Sequence, residues 1–186
     1  LVRNPELART FEAIAKGGRE VFYRGPIART IAETVASETP RPDPMTEADI
    51  AAYQAKVRDG VCGSYRGYRV CGMGPPSSGG VAVLQILGQL ERFDLAALGL
   101  GNPVTWHLFL ESQRLAYADR ELYIADSDFV SVPVAGLLDR AYLAERSMLI
   151  SPDTTMAEAR PGMPRGAQSA LADGDEPEER GTSHIA

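Results

Sequence analysis

Apolar residues recur at helical spacing near the start of the chain. Leu7, Phe11 and Ile14 follow one another at intervals of three or four residues, so they lie on one face of a helix. Asn4-Pro5 is typical of a helix start, because asparagine caps the first turn and proline is tolerated at its first position. Gly17-Gly18 is expected to end the helix. The pattern therefore predicts an amphipathic helix of about three turns.

Two more helices are predicted before residue 54. Gly25-Pro26 opens the first of them, and its apolar stripe consists of Ile27, Ile31 and Val35. The proline-rich residues 40–44 end it, since proline cannot continue a helix. Thr46 and Asp49 have the spacing of a capping box, in which each side chain bonds to the backbone N–H of the other residue. We therefore expect a short helix to follow Thr46.

The hydrophobic pattern changes to that of β-strands after residue 56. Residues 57–65 and 68–73 flank Arg66-Gly67, and a two-residue turn at that point predicts a hairpin. This turn places Cys62 opposite Cys71 at a non-hydrogen-bonded position, where side chains approach most closely. A disulfide is geometrically possible there. Two reduced, packed thiols are nevertheless the favoured interpretation, because a free cysteine usually behaves as a small buried hydrophobe.

A loop rich in glycine and proline, residues 74–80, precedes an apolar helical run. Free backbone N–H groups at the start of such a helix can bind an anion. The loop lacks, however, the phosphate-loop lysine and the spacing of a dinucleotide-binding motif or a serine-hydrolase elbow. A rigid turn with a serine cap is therefore the favoured interpretation of this segment.

The longest predicted helix begins at Asn102-Pro103. Its apolar face is expected to contain Trp106, Leu110 and Tyr117, with Phe109 nearby. Asp119 and Arg120 lie near its end, where they can in principle be catalytic. A solvated or structural ion pair is the simpler interpretation of these two charges.

The last predicted helix covers residues 139–150, and the apolar content of the chain falls after it. A stretch with few apolar residues cannot bury enough surface to offset the entropy of ordering. We therefore divide the chain into a main region, residues 1–152, a flexible acidic connector, residues 153–181, and a short final segment, residues 182–186.

Length and charge limit the classes of function that the chain can serve. At 186 residues it is long enough for one domain with a sizeable core. Its formal net charge of −6 argues against binding to nucleic acid or to an anionic membrane surface, since both require a basic patch. No apolar run approaches the roughly 18 residues of a membrane span. The first residues lack the features of a signal peptide, so we expect the chain to be the middle of a longer one.

The sequence gives little support to a metal site or a cofactor. Its two histidines, His107 and His184, belong to no group with the spacing of a zinc site. Residues 126–128, Asp-Ser-Asp, resemble the start of a calcium loop but lack the later glycine and glutamate. No metal and no cofactor are therefore expected.

The last six residues place a hydroxyl nucleophile directly after a glycine. The Thr182 hydroxyl can attack the Gly181 carbonyl, move the acyl chain from nitrogen to oxygen, and let water release a new N-terminus. The freed α-amine of Thr182, whose ordinary pKa is about 7.7 to 8, can then act as the base for its own hydroxyl. Gly181 has no side chain to block the attack. Taken alone, residues 181–184 are more simply a polar turn.

The same residues gain meaning from the segments that precede them. Together with Gly181-Thr182-Ser183-His184, these segments resemble the γ-glutamyltranspeptidases, also called glutathione hydrolases, and they occur in the order that this family has. The segments are residues 4–8 with 22–25, residues 75–80, residues 116–120, and residues 126–130 with Val132-Pro133. The resemblance covers nearly the whole chain.

This resemblance implies an N-terminal nucleophile hydrolase with a four-layer αββα architecture. The fold is α+β, and this segment is expected to be its mostly helical part with one hairpin. In such enzymes a precursor cuts itself at the bond that matches Gly181-Thr182, and Thr182 becomes the first residue of a small subunit. The resemblance thus implies that residues 1–152 are the C-terminal part of the large-subunit region and residues 182–186 the truncated start of the small subunit. Thr182 would then attack the γ-glutamyl amide of glutathione or a related donor, and water or an amino acid or peptide would resolve the acyl-enzyme.

The resemblance also implies the partners and the limits of the chain. A small-molecule γ-glutamyl substrate, a small subunit from the same precursor, and a periplasmic or secreted location are expected. Ser183 stands where the family has a second threonine. The oxyanion-hole glycines, a second serine pair and the groups that grip the substrate follow Ala186 or precede Leu1 in the family. Substrate-binding residues are therefore expected outside this chain, and Ser77 and Ser78 are not that serine pair.

Two other functions stay open at this point. A cephalosporin or glutaryl acylase would share both the fold and the Gly181-Thr182 motif, and a substrate profile would separate it from a γ-glutamyl enzyme. The chain can instead be a non-catalytic scaffold or an unprocessed proenzyme segment, which a mass measurement of the fragments would reveal.

Overall fold

A computed structural model of the chain describes residues 3–38 and 43–167. The chain divides into two units, Leu1–Val57 and Arg58–Ala186. The sequence pattern did not predict this division. Gly181 and Thr182, the predicted cleavage pair, lie outside the described residues.

The described residues form helices in both units and a single hairpin in the second. In the first unit the elements are α1 (Pro5–Gly17), α2 (Arg19–Tyr23), α3 (Pro26–Glu38) and α4 (Glu47–Ala52). In the second unit they are β1 (Val61–Tyr65), β2 (Tyr68–Gly72), α5 (Gly79–Leu90), α6 (Leu95–Leu98), α7 (Pro103–Tyr123), α8 (Val134–Leu137) and α9 (Arg140–Ser147).

The first unit confirms the helix starts that were predicted from capping residues. The Asn4 side chain accepts a hydrogen bond from the Leu7 N–H at 3.0 Å. Thr46 and Asp49 form the complete capping box that opens α4. Each cap satisfies backbone donors that a helix start leaves without partners, so these short helices begin where the sequence indicates. The small helix α2 was not predicted, because its five residues are too few to show a periodic pattern.

Small side chains form the core of the first unit. Ala28, Ala32 and Ile50 are buried, and Tyr23 and Ile31 pack against them. The buried face of α3 is therefore formed by Ala28 and Ala32, which lie four residues apart, and is not the predicted stripe of Ile27, Ile31 and Val35. An alanine leaves room for the backbone of a neighbouring helix, so α3 presents its smallest side chains to the core.

The predicted hairpin and its register are confirmed. β1 pairs antiparallel with β2, and Tyr65 lies opposite Tyr68. Arg66 and Gly67 have φ values of 47° and 84°, as a type I′ turn requires. The first strand is shorter than predicted, because its pairing begins at Val61 opposite Gly72, where β2 ends.

Cys62 and Cys71 form a disulfide across the hairpin, so the favoured interpretation of two reduced thiols is wrong. Their Cα atoms are 4.1 Å apart, as expected for a non-hydrogen-bonded pair. Both residues lie on the exposed face of the hairpin. The argument from buried, packed cysteines therefore did not apply to them.

Helix α5 is the centre of the second unit, where it packs against α7, α9 and the hairpin. One apolar cluster joins Ile86 and Leu90 of α5 to Leu108 and Leu115 of α7. A second cluster joins Val81 of α5 to the buried side chains Tyr123, Leu137, Tyr142 and Leu143. Every buried face of this unit therefore meets α5 or a helix that contacts it.

Helix α7 begins at Asn102-Pro103 as predicted, but its buried face is not the predicted one. Trp106, Leu110 and Tyr117 are 53%, 55% and 43% exposed. The buried residues of α7 are instead Thr105, Leu108, Glu111, Ser112, Leu115, Ala116, Asp119 and Tyr123. The prediction failed because this helix buries polar side chains together with apolar ones, so hydrophobic periodicity alone selects the wrong stripe.

The glycines that precede α5 allow its first turn to lie against the hairpin. A Cβ atom on Gly80 would overlap the Met73 carbonyl oxygen and lie 2.9 Å from the carbonyl carbon of Gly72. Backbone atoms cannot move away as a flexible side chain can. A Cβ atom on the neighbouring Gly79 would meet nothing closer than the Ser77 hydroxyl at 4.0 Å.

We predict that Gly80→Ala lowers the free energy of unfolding by about 1–3 kcal/mol, because overpacking against fixed backbone forces α5 away from the hairpin. Gly79→Ala is the matched control, and it should change stability by no more than about 0.5 kcal/mol. Urea unfolding of the two variants in the complete protein compares them. Equal stabilities would show that the contact between α5 and the hairpin is not tight.

Candidate functional site

Gly181 and Thr182, the residues predicted to carry the chemistry, lie outside the described residues. The described part of the chain that leads toward them ends at residue 167. Residues 151–167 follow the last helix and contain no helix or strand. They are nevertheless held in place by side chains of α7 and α9. The described part of the predicted connector is residues 153–167, and its backbone is hydrogen-bonded to side chains of α7 and α9.

A buried carboxylate is the centre of this anchoring. Asp119 is fully buried and accepts hydrogen bonds from four groups. On one oxygen, Oδ2, it accepts from the Tyr142 hydroxyl at 2.7 Å and from Gln85 Nε2 at 2.9 Å. On the other, Oδ1, it accepts from the backbone N–H of Gly162 at 2.8 Å and from the Arg146 guanidinium at 3.3 Å. We call Asp119, Gln85, Tyr142 and Arg146 the Asp119 cluster.

The sequence predicted Asp119 to be part of a structural ion pair, and the structure places it in one with a different partner. Its counterion is Arg146 on α9, with both side chains almost completely buried. A buried charge is tolerated only when it is paired and hydrogen-bonded, and the four donors meet that requirement. Asp119 is thus held on both of its oxygens by donors of α5, α9 and the segment after α9.

Burial changes the acid–base properties of the two tyrosines beside this carboxylate. Removal from water raises the pKa of Tyr142 far above its ordinary range, and the hydrogen bond to Asp119 raises it further. Burial, followed by the charge of Asp119, also raises the pKa of Tyr123. The Tyr123 hydroxyl donates to the Gly162 carbonyl at 2.7 Å. Both hydroxyls therefore stay protonated and keep donating.

Three further hydrogen bonds hold the residues after α9. The Arg146 guanidinium donates to the Arg160 carbonyl at 2.7 Å. Glu111, which is almost completely buried on α7, accepts from the Met156 N–H at 2.7 Å and pairs with Arg114, also at 2.7 Å. Arg114 in turn donates to the Met156 carbonyl. Residues 156–162 are therefore fixed at their backbone, a type of contact that composition does not reveal.

Arg120 connects the end of α7 to the glycine-rich loop. Its Nε donates to the Ser78 hydroxyl at 2.9 Å. Ser78 is the N-cap residue of α5, but its side chain makes no capping hydrogen bond, so the predicted serine cap is not formed. The loop is a turn, with the Ser77 N–H donating to the Gly74 carbonyl at 3.1 Å. Arg120 is thus a contact of this loop and not the ion-pair partner of Asp119.

The Asp-Ser-Asp segment that resembles a calcium loop binds a guanidinium. Arg58 donates to the two carboxylate oxygens of Asp128 at 2.6 and 3.1 Å, and it lies 3.5 Å from Asp126. The hydrogen bond to Asp128 raises the pKa of the Arg58 guanidinium, and this effect is larger than the opposing effect of desolvation. This segment therefore ties the residue before the hairpin to the loop after α7.

The described residues contain no group of three or more potential metal ligands. In that part of the chain no helix is both long and apolar enough to cross a membrane.

Sequence reasoning missed three members of the Asp119 cluster. Gln85 interrupts an apolar helix, and Tyr142 and Arg146 lie four residues apart on α9, so each had a local signal. A buried glutamine in an apolar run requires a polar partner, which could have pointed to Asp119. The pairing of α5, α7 and α9 that brings these residues together depends on tertiary contacts and was not available from the pattern.

Comparison with known proteins gives a consistent result over the whole chain. The family model described as gamma-glutamyltranspeptidase matches residues 1–186. The glutathione hydrolase proenzyme of Escherichia coli strain K12 is 44% identical over 137 residues, which cover 73% of this chain and 23% of that protein. The acylase ACY 1 proenzyme of Pseudomonas sp. strain V22 is 40% identical over 146 residues, 78% of this chain and 26% of that protein.

A solved structure agrees with these relatives. The crystal structure of the γ-glutamyltranspeptidase of Helicobacter pylori matches with a TM-score of 0.72 at 40% identity, covering 89% of this chain and 47% of that one. This likeness confirms the predicted fold class, a mostly helical segment with one hairpin from the N-terminal nucleophile hydrolase fold. The chain spans about a quarter of the length of the curated relatives that it matches.

We predict that the Asp119 cluster makes stability sensitive to alkaline pH. Because the folded-state pKa of Tyr142 is raised, its contribution is complete below the unfolded pKa of about 10 and is lost as pH rises above it. The loss is at most about 1.4 kcal/mol per pH unit for each such tyrosine. Tyr142→Phe should cost about 1.5–3 kcal/mol at pH 8 and should make the alkaline decline less steep, because one of the two titrating hydroxyls is removed.

Urea unfolding of the complete protein between pH 8 and pH 11 measures both effects. Tyr68→Phe is the matched control, since Tyr68 is 74% exposed and should leave the curve unchanged. Parallel pH curves for the wild type and Tyr142→Phe would contradict the assignment of the alkaline sensitivity to this hydroxyl.

Proposed function

The chain belongs to the γ-glutamyltranspeptidase family, and we propose from that premise that it carries the nucleophile of an enzyme that hydrolyses and transfers γ-glutamyl groups. The observation that carries this proposal is the extent of the family match, which runs over residues 1–186 and so includes Gly181-Thr182. Two relatives at 36–44% identity are named glutathione hydrolase proenzymes. A γ-glutamyl compound such as glutathione is therefore the proposed donor.

The first step of the proposed mechanism is self-cleavage of the precursor. The Thr182 Oγ attacks the Gly181 carbonyl carbon, the C–N bond breaks, and the acyl chain moves to oxygen as an ester. Water then hydrolyses the ester, which leaves a carboxylate on Gly181 and a free α-amine on Thr182. Gly181 favours this step because it has no side chain beside the carbonyl.

The second step uses the amine that the first one creates. The α-amine of Thr182 accepts the proton of its own hydroxyl as Oγ attacks the γ-glutamyl carbonyl, and it returns the proton to the leaving amine. The resulting ester between Oγ and the γ-glutamyl group is resolved by water, which gives hydrolysis, or by an acceptor amine, which gives transfer. The partners of the chain are then this substrate and a small subunit that begins at Thr182.

The anchored residues after α9 support a specific role for the Asp119 cluster. Gly162 and Arg160, which the cluster holds by their backbone, precede Gly181 by about twenty residues in the chain. A polypeptide fixed at one end explores a smaller volume at the other than a free one does. We assign to Asp119 and Arg146 the role of positioning residues for the chain that leads to the cleavage site.

A second candidate function has an observation in its favour. The acylase ACY 1 proenzyme is 40% identical to this chain, close to the 44% of the glutathione hydrolase proenzyme. An acylase that removes a glutaryl or cephalosporin side chain would use the same Thr182 chemistry on a different acyl group. Substrate-binding residues are proposed to lie outside this chain, so the choice between the two is made by measured substrate preference.

We predict that Thr182→Ala, introduced into the complete gene product, abolishes both self-cleavage and γ-glutamyl turnover, because each step requires the Thr182 hydroxyl. Fragment masses report cleavage, and release of aniline from a γ-glutamyl anilide reports turnover. The wild type should give a fragment that begins at Thr182. Comparison of glutaryl and γ-glutamyl anilides decides between the two enzymes.

Thr154→Ala is the matched control, since Thr154 is exposed and lies in the same chain before the cleavage bond. It should cleave and turn over like the wild type. A Thr182→Ala protein that is uncut but fully active would overturn the nucleophile assignment. A wild type that stays uncut and inactive would favour a scaffold or an unprocessed proenzyme.

A further inference from the structure

Helix α7 exposes its largest apolar side chains in one stripe along the helix. Trp106, Leu110 and Tyr117 follow one another at helical spacing, Phe109 lies beside them, and all four are between 37% and 55% exposed. We call these four side chains the outer stripe of α7. We propose that the outer stripe is an interface against which the rest of the complete protein packs. This inference rests on the family of the chain and not on the chemistry of Thr182.

The outer stripe lacks the charges that a water-facing helix normally carries. Between Pro103 and Ala118 the charged residues are Glu111 and Arg114. These two pair with each other at 2.7 Å, and both bind the backbone of Met156. A surface helix of a globular protein places polar and charged residues on its solvent face, whereas a helix with apolar residues on both faces is buried. The exposed side of α7 therefore has the composition of a second packing face.

The polar residues of α7 lie on its other side, which strengthens this assignment. Thr105, Ser112 and Asp119 are buried, while the large apolar side chains of the outer stripe are exposed. A single exposed apolar residue is ordinary, but a contiguous apolar patch marks an interaction surface. The distribution is the reverse of the one expected for a helix with a single buried face.

The outer stripe can be covered without leaving the indole N–H unpaired. The Trp106 Nε1 donates to the Leu100 carbonyl at 2.8 Å, and its ring packs edge-to-face against Phe109 with 6.3 Å between the centroids. The side chains of Phe109 and Leu110 have no polar atoms. Burial of an unpaired polar group is costly, so Trp106, Phe109 and Leu110 are suited to the centre of a contact. The hydroxyl of Tyr117 is suited to its rim, where polar groups lie.

The size of the outer stripe favours a contact within one protein. A fully buried aromatic side chain covers about 150–250 Å², so four side chains at about half exposure offer roughly 400 Å². A stable interface between separate proteins buries about 800 Å² on each partner. Elements of one folded protein do not lose translational freedom when they pack, so a smaller contact is sufficient for them. The stripe alone is therefore too small to hold a second copy of the chain.

The relatives of the chain have enough additional length to supply the cover. The matched residues are 23% of the Escherichia coli proenzyme and 47% of the chain in the Helicobacter pylori crystal structure. More than half of each relative thus lies outside the matched region. Residues 168–181 of this chain are a poor alternative, since they contain five acidic residues and Leu171 is their one large apolar side chain. The occupant that fits is an apolar part of the complete protein outside this chain.

We predict that Leu110→Cys in the complete protein reacts with a maleimide at least about tenfold more slowly than Glu145→Cys, because a covered thiol reacts only when its surroundings open. Glu145 is the matched control, since it is an exposed, charged residue of α9. Each rate is divided by the rate of the same variant in urea, so that the intrinsic reactivity of the thiol cancels. Peptide mass spectrometry assigns the label to position 110 or 145.

Hydroxyl-radical footprinting of the unsubstituted complete protein gives a second measurement, which does not depend on the folding of a variant. Oxidation of Trp106 should be at least about tenfold slower in the folded than in the urea-unfolded protein, far more than its exposure of 53% in this chain implies. Oxidation of Tyr68, which is 74% exposed on the hairpin, is the comparison within the same sample.

Two results would overturn the proposal. Equal normalised rates for Leu110→Cys and Glu145→Cys, with rapid oxidation of Trp106, would show that the outer stripe faces water in the complete protein. Protection that increases with protein concentration, together with a doubled mass in light scattering, would assign the stripe to a second copy. Neither measurement uses the Thr182 hydroxyl, so a complete protein without γ-glutamyl activity would leave the result unchanged.

Discussion

The carboxylate of Asp119 is the group on which most of the second unit depends. Four donors from α5, α9 and the segment after α9 converge on its two oxygens, so one side chain of α7 connects three other parts of the chain. Transfer of a carboxylate from water into a protein interior costs several kcal/mol, and only a full set of partners offsets it. Loss of either member of the Asp119–Arg146 ion pair leaves the other charge buried without its counterion, at a cost of about 3–5 kcal/mol. The apolar clusters beside it include Ile150, Met156 and Ala159 after α9, so apolar packing and the hydrogen bonds of Asp119 act on the same segment.

This constraint connects fold stability to the proposed chemistry. Self-cleavage requires the Thr182 hydroxyl to meet the Gly181 carbonyl in one geometry, and such proximity effects depend on restricting the chain. The Asp119 cluster restricts residues 160–162, and Glu111 with Arg114 restricts Met156. Under the proposed function, the cluster therefore influences the reaction through the backbone that it holds. Composition suggested a flexible connector because the segment has few apolar side chains, whereas its described residues are held by hydrogen bonds to their backbone and by the packing of Met156 and Ala159 against the first apolar cluster.

The elements that the sequence predicted are those with a local cause. Asn4, Thr46 and Asn102 cap helices through atoms a few residues away, and the Arg66-Gly67 turn sets the hairpin register. The buried face of α7 was not predictable in this way, because Asp119 and Ser112 are buried polar residues whose hydrogen-bond partners lie on α5. The pattern of hydrophobic residues along α7 does not reveal such partners. For the candidate site, the family resemblance predicted Gly181 and Thr182, whereas the proposed positioning residues, Asp119 and Arg146, are recognisable only from the packing of α5, α7 and α9. The disulfide was misjudged for a related reason, since its register was predicted while the exposure of its face was not.

The two faces of the hairpin have different roles. Its inner face uses glycines, so that the backbone lies against α5, and Arg66 donates to the Phe93 carbonyl beyond the end of that helix at 2.6 Å. Its outer face carries the disulfide, which therefore does not have to supply the contact with the helix. A crosslink stabilises mainly by restricting the unfolded chain, and the loop between Cys62 and Cys71 is short. The contact of the hairpin with α5 is therefore made by its inner face, and the crosslink lies on the other side of the same two strands.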